Sequence, residues 1–282
     1  GDRRGAYALR AGRIDAAPAR VHAPRRQMPT PATAPAAAPA TTAAPRRLKE
    51  LHPLAVAEAL AADPRLIVPV GTCEQHGPHL PLGCDTIIVE RLADDLSAEF
   101  GVLRAPTVEY GVNVDTEREM PGNGSVRRKT LHRMLNDLLA SWEAGGVREF
   151  ILLTAHGHDP HQEALATVIT TESRVRVVDV FALKMDDLLD GQDGPMHGDE
   201  VDTSLLLHLA PHLVRLELAQ DYMASRELVR RYRRGWLRVP SDSPGSIGRP
   251  SLATAVKGQR LYERIRSRVA ERIFRNPVDE DE

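Results

Sequence analysis

The sequence predicts a single-domain, three-layer α/β/α fold with a mostly parallel sheet. Three observations carry that expectation. Short apolar runs alternate with segments of helical spacing from about residue 49 onward, and strand-then-helix alternation argues for a parallel sheet covered on both faces. A chain of 282 residues is a common length for one α/β domain. With 42% hydrophobic residues it can bury a real core, although aromatics make up only 4%.

In chain order, "LAVAEALAA" reads as a helix and "RLIVPVG" as a short buried strand. The segment "TIIVERLADDLSAEF" returns to helical spacing through Ile88, Leu92 and Leu96. Then "GVLRAPTV" is strand-like, "TLHRMLNDLLASWEAGG" is a helix with a glycine stop, and "EFILLTA" is a β run. After these come the helix "HQEALATVITT", the strand "RVRVVDVFAL" and the helix "EVDTSLLLHLA". No internal repeat is evident. Residues 1–48 differ in kind: an Arg/Ala-rich stretch leads into the Pro/Ala/Thr tract "MPTPATAPAAAPATTAAPRR", which has too little apolar surface to fold alone. The expected organisation is a disordered arm over 1–48, a catalytic domain over 49–276 and an acidic tail over 277–282, with Met28 a candidate natural start.

Composition narrows the function. A formal net charge of −2 makes no electrostatic case for nucleic acid or an anionic membrane. The basic run "RELVRRYRRGWLR" at 226–238 reads as a solvated helix face or subunit contact. No apolar run reaches the ~20 residues of a membrane span. The two cysteines, Cys73 and Cys84, argue against a disulfide framework and for a reducing, cytoplasmic setting. No glycine-rich phosphate loop follows a predicted strand.

Chemistry-bearing residues cluster after the strands. Glu74 and His76 follow "LIVPVG", His156 and His158 follow "FILLTA", and His197 and Glu200 come after "VRVVDVFAL" at a helix start. In open α/β sheets the loops at the carboxyl ends of parallel strands line the binding crevice. Each cluster alone has a structural reading: a hydrogen-bonded turn around Glu74, a helix entry at "HGHDPH" with Asp159 as N-cap, and a helix cap at His197. Together they form a mixed N/O donor set suited to Zn²⁺, Mn²⁺ or Fe²⁺. Cys73 and Cys84 read as small packing residues rather than ligands.

The segment "VPVGTCEQHGPHLPLGCD" resembles the signature of the creatininase family of metal-dependent amidohydrolases. "MPGNGSV", "TAHGHD", "HGDEVDTS" and "GSIGRPSLATAVKG" are similar to further family elements, and the resemblance runs from about residue 50 to 275. It implies a dinuclear site in which Glu74, Asp85 and His156 hold one ion, His76, Asp85 and Glu200 hold the other, and Asp85 bridges. Such ions, roughly 3.5 to 4 Å apart, polarise a carbonyl and generate hydroxide near neutral pH. His197 occupies the family's catalytic-histidine position and suits protonation of a leaving nitrogen. His79 is expected to orient a ligating carboxylate.

Departures from the family pattern concern substrate. His158 stands where some members place a metal-binding glutamate, so it is a candidate to replace or supplement Glu200. Asn123 and Gly124 replace a threonine, a histidine usual near Val114–Glu117 is missing, and Arg249 replaces an aspartate. A substrate other than creatinine is therefore expected: a small molecule with a C–N amide bond in a cyclic amide, formamide or peptide-like setting. The alternative is a catalytically silent relative serving as a binding or regulatory subunit. The resemblance also implies a homo-oligomer, often a hexamer.

Overall fold

The computed structural model describes residues 43–114, 120–234 and 243–275. At the sheet's centre, β2 (Arg65–Pro69) pairs in parallel with β4 (Glu149–Thr154) from Arg65 opposite Glu149 to Pro69 opposite Leu153. β5 (Arg174–Asp179) extends the sheet beyond β4. On the other side lie β3 (Leu103–Arg104) and then β1 (Arg46–Arg47), giving the order β1-β3-β2-β4-β5 with every pair parallel. The strand expected over "GVLRAPTV" is thus only two residues long, with one further bridge from Val70 to Val108. A proline limits what this segment can pair: Pro106 has no N–H to give.

Alternation along the central strands separates two cores. Ile67, Ile151 and Leu153 point to one face, against α2 (Cys84–Phe100), α5 (Glu200–Leu209) and α7 (Ala255–Val269). Leu66, Val68, Phe150 and Leu152 point to the other, against α1 (Pro53–Ala62), α3 (Arg128–Ala144) and α4 (Asp159–Ala166). Both faces of the central strands are therefore dry, which is why "LIV" and "FILL" are continuous rather than alternating apolar runs. α4 stops at Ala166, short of the helix expected to continue to Thr171. Its N-cap position is His158, so Asp159 lies in the first turn and not at the cap. α6 (Arg226–Arg233) starts at Ser225, whose Oγ accepts from Leu228 N–H at 3.2 Å. Among the described residues no helix is long and apolar enough to cross a membrane.

The end of the expected arm belongs to the fold. Arg46 and Arg47 form the edge strand, Arg46 N–H donates to Ser97 Oγ at 2.8 Å, and the Arg47 guanidinium grips Asp94 at 2.7 and 3.0 Å. Asp94 also receives the buried Arg104 at 2.9 Å, and Arg104 reaches Glu90 at 2.8 Å. "PRR" looked like the charged end of a tail because its partners are some 50 residues away in sequence. Residues 1–42, the tail over 277–282 and the region of the missing histidine at 115–117 lie outside the described residues. Deleting residues 1–42 is expected to leave the thermal midpoint within a degree or so, whereas deletion through Arg47 should lower it by about 3–5 °C. Calorimetry of the two truncations decides it; equal midpoints would show that β1 contributes nothing.

Candidate metal centre and catalytic site

The site grows from the carboxyl ends of β2, β4 and β5. After β2 the chain runs through residues 71–83 and enters α2 with Asp85 in the first turn. Asn113 Nδ2 donates to Cys73 O at 2.8 Å, and Asn123 Oδ1 accepts from Gln75 N–H at 2.7 Å, so the 120–125 turn braces this loop. The structure therefore gives Asn123 a strut's position. Gly198, at φ 59°, passes so close that an added Cβ would sit 2.5 Å from His76 O, which only glycine permits.

Glu74, Asp85 and His156 come together, with His156 Nδ1 3.1 Å from both Glu74 Oε2 and Asp85 Oδ2. His76 Nε2 lies 3.2 Å from Asp85 Oδ1. One donor atom each from Glu74, His76 and His197 also falls within a 4.8 Å span, as does one each from Glu74, Asp85 and His156. All are buried.

Two features of this cluster fit a divalent cation. Each imidazole spends its outer nitrogen on a backbone carbonyl: His76 Nδ1 on Glu74 O at 3.0 Å and His156 Nε2 on Val112 O at 3.1 Å. The inner nitrogens are left facing the carboxylates, the arrangement usual for a ligating histidine. Second, Glu74 is wholly buried, yet neither of its oxygens accepts a well-formed hydrogen bond. An ionised carboxylate in that position is costly without a cation.

The electrostatics say the same. Burial pushes the Glu74 carboxyl up. Burial also opposes charge on His76 and His156, but Asp85 and Glu74 outweigh it and raise the two rings to about 10 and about 9. The same imidazoles overcome burial at Asp85 and hold it well below the usual carboxylate range. The chain thus draws positive charge into this space. Cys84 Sγ lies beside His76 and Asp85, but burial and the surrounding carboxylates push its thiol well up, leaving it a packing group.

The structure does not bring Glu200 into the cluster. Both its oxygens are committed, to Asp190 N–H at 2.9 Å, Gly191 N–H at 3.1 Å and the Lys257 ammonium. The residue two further on, Asp202, faces the site instead: it lines the same cavity as His76, Asp85 and His197 and accepts from Gly198 N–H at 2.8 Å. Burial, with Asp199 nearby, raises its carboxyl well above the ordinary value. Sequence reasoning missed Asp202, although it stands in the same "HGDEVDTS" element. His79 is also corrected: its Nε2 meets Thr203 Oγ1 at 2.9 Å, a hydroxyl on α5 rather than a carboxylate. His158 is buried with Nδ1 2.7 Å from Val112 O, and its ring lies 5.7 Å from that of His156. His161, also missed, accepts from Val112 N–H at Nδ1 and so presents Nε2–H to Thr154 Oγ1 at 3.1 Å.

His197 is not the cap of α5. Asp199 is, accepting at 2.9 Å from both Val201 and Asp202 N–H. His197 lies 4.5 Å from His76 and 5.4 Å from Tyr232, ring centre to ring centre. Gln75 fixes its tautomer. Gln75 Oε1 accepts from Gly77 N–H at 2.9 Å, so Nε2 is the donor, giving one hydrogen to Gly245 O at 2.8 Å and facing His197 Nε2 at 3.1 Å. His197 Nε2 is then an acceptor and Nδ1 carries the ring proton. Burial and the neighbouring charge of His76 keep the ring's pKa well below its ordinary value. A cavity of about 440 Å³ opens from these groups, walled by Ala155, Gln162, Asp179, Phe181 and Arg233.

Comparison with known proteins gives the family and the fold. The family model "Creatininase: Creatinine amidohydrolase" matches residues 49–273. The mycofactocin precursor peptide peptidase of Mycolicibacterium smegmatis is 31% identical over 220 residues, covering 75% of this chain and 85% of its own. The creatinine amidohydrolase of Pseudomonas putida is 25% identical, covering 73% and 87%. Solved creatininases in a manganese form and a zinc–zinc form share the fold at TM-scores of 0.70 and 0.69, each 22% identical and covering 81% of this chain and 97% of that chain. The chain belongs to the creatininase family of metal-dependent amidohydrolases.

Proposed function

We propose that this protein hydrolyses a C–N amide bond in a small, peptide-like molecule at a dinuclear metal centre. Glu74, Asp85 and His156 hold one divalent ion, and His76, Asp85 and Asp202 hold the other, with Asp202 taking the part first expected of Glu200. The observation that carries this reading is the fully buried Glu74 carboxylate, which lacks well-formed hydrogen bonds at the point where Asp85, His76 and His156 converge. Bound there, such ions supply Lewis acidity for a carbonyl and make water a nucleophile near neutral pH. The relatives named for a precursor peptide and for creatinine support an amide substrate.

The chain's own groups supply the proton path. A ring that is neutral at rest suits two-stage transfer: His197 accepts a proton from the attacking water and releases it to the departing nitrogen. Its Nε2 lone pair is the accepting position; Gln75 Nε2 donates to it at rest and so must release it as the proton is taken. Asp202 and Glu200 have separate tasks in this account, one toward the cavity and one binding α5 to α7 through Lys257.

The test is a panel of N-acyl peptides, formamides and cyclic amides, assayed for released amine before chelation, after it, and after return of Zn²⁺ or Mn²⁺. Turnover should vanish with the metals and return with them. In parallel, Asp202→Asn should lose about one ion per chain, whereas Glu200→Gln should keep two and mainly lower the thermal midpoint. A chain carrying two ions that hydrolyses nothing in the panel would overturn the reading. Ion loss in Glu200→Gln and not in Asp202→Asn would restore the original ligand.

A further inference from the structure

A second, larger cavity continues from the catalytic one. It measures about 720 Å³ and shares Asp159, Gly194, Pro195, Met196 and Arg233 with the metal-side cavity. One wall is a face of α6: Arg226, Val229, Arg230 and Arg233 recur at i, i+3, i+4 and i+7 and so project on one side of the helix. The remaining wall carries Met196, Met223 and Ala224. This basic run was expected to be a solvated face or a subunit contact; its described arginines are exposed, and four of them also line this cavity.

Charge and pairing give the cavity a preference. Four arginines (Arg226, Arg230, Arg233, Arg234) stand against two aspartates (Asp159, Asp193), a surplus of two positive charges. Three of the four have partners: Arg226 with Asp193 at 2.8 Å, Arg233 with Pro195 O at 2.6 Å, and Arg234 with Asp159 at 3.9 Å. Arg230, in the middle of the stripe, makes no ion pair or side-chain hydrogen bond among the described residues. A guanidinium offers a planar fork that matches a carboxylate in two hydrogen bonds. The methionines and Val229 beside it suit an apolar side chain on the same ligand.

We propose that this cavity is a substrate subsite for a carboxylate-bearing, apolar peptide segment, with Arg230 as the carboxylate's partner. The inference deepens the amide-hydrolase reading and rests on it. The amide to be cut occupies the metal-side cavity, and the segment released with the new amine extends along α6 to place its terminal carboxylate on Arg230. Arg233, common to both cavities, lies where the segment passes from one to the other.

The experiment uses the full chain loaded with metal and two short N-acetylated peptides of one apolar sequence, one ending in a free carboxylate and the other in a carboxamide. Binding is measured by calorimetry on metal-loaded His197→Ala, in which hydrolysis is slowed, and turnover is measured on the protein with His197 intact. The free acid should bind about tenfold more tightly than the amide. Arg230→Gln should erase that difference while leaving amide-form binding unchanged, and Arg230→Glu should reverse it. Equal binding of the two peptides, or a preference that survives Arg230→Gln, would overturn the subsite, as would binding of neither peptide. Turnover that shows no acid preference would condemn the subsite alone. Binding that follows Arg230 with no turnover of either peptide would condemn the hydrolase reading alone.

Discussion

Asp85→Ala is expected to strip both ions from the protein. Its two oxygens face different imidazoles, Oδ1 toward His76 and Oδ2 toward His156, so one carboxylate serves both halves of the site. Each neighbouring carboxylate has its own place in this account: Glu74 meets His156, Asp202 stands on the His76 side of the cavity, and Glu200 is tied to Lys257. Elemental analysis should fall from two ions per chain to near zero, and turnover by roughly 10³-fold or more. The loss of Oδ2 also strands the Thr72 hydroxyl, which donates to it at 2.7 Å, so Asp85→Asn serves as the shape-preserving companion. It should keep the native circular dichroism spectrum and still lose metal. Two ions retained in Asp85→Asn would remove Asp85 from the centre.

His197→Ala should do the opposite, keeping both ions while turnover falls by about 10²–10⁴-fold. The metals should stay because the ring is held by Gln75 and the cavity wall, and the four groups around Asp85 are complete without it. Leaving-group dependence separates proton transfer from simple packing. An activated anilide, whose nitrogen needs little protonation, should lose much less than an alkyl amide. An equal loss on both substrates, or a loss that follows missing metal, would make His197 a structural residue.

Much of this site could be read before any coordinates, and for a physical reason. Polar residues directly after buried parallel strands have one place to go, so Glu74, His76, His156 and His197 were assigned to one sheet edge from strand positions alone. The choice between Glu200 and Asp202 could not be made that way. Two residues apart on a helix, they point about 200° from each other, and the rotation of α5 is set by Lys257, 57 residues later in the chain. The role of α6 was hidden similarly: an arginine stripe looks the same whether it faces water or a cavity, and only Gly194, Pro195 and Met196 packing across from it make the difference. Asn123 and His79 were drawn toward the chemistry by their neighbours in sequence, and hydrogen bonds that only the fold reveals tie Asn123 Oδ1 to Gln75 N–H and His79 Nε2 to Thr203 Oγ1.

The two-residue strand β1 has a practical consequence. The family match begins at Lys49, but the sheet begins at Arg46. A recombinant boundary drawn at the family match would remove the strand that covers β3 on the side away from β2, leaving the outer Leu103–Arg104 edge with unpaired backbone groups. An uncovered parallel edge is a template for pairing between molecules, and here Asp94 would lose one of its two guanidinium partners at the same time. Preparations starting at Lys49 should therefore aggregate on concentration or storage even while their active sites stay intact, and an expression boundary a few residues upstream of Arg46 avoids the fault.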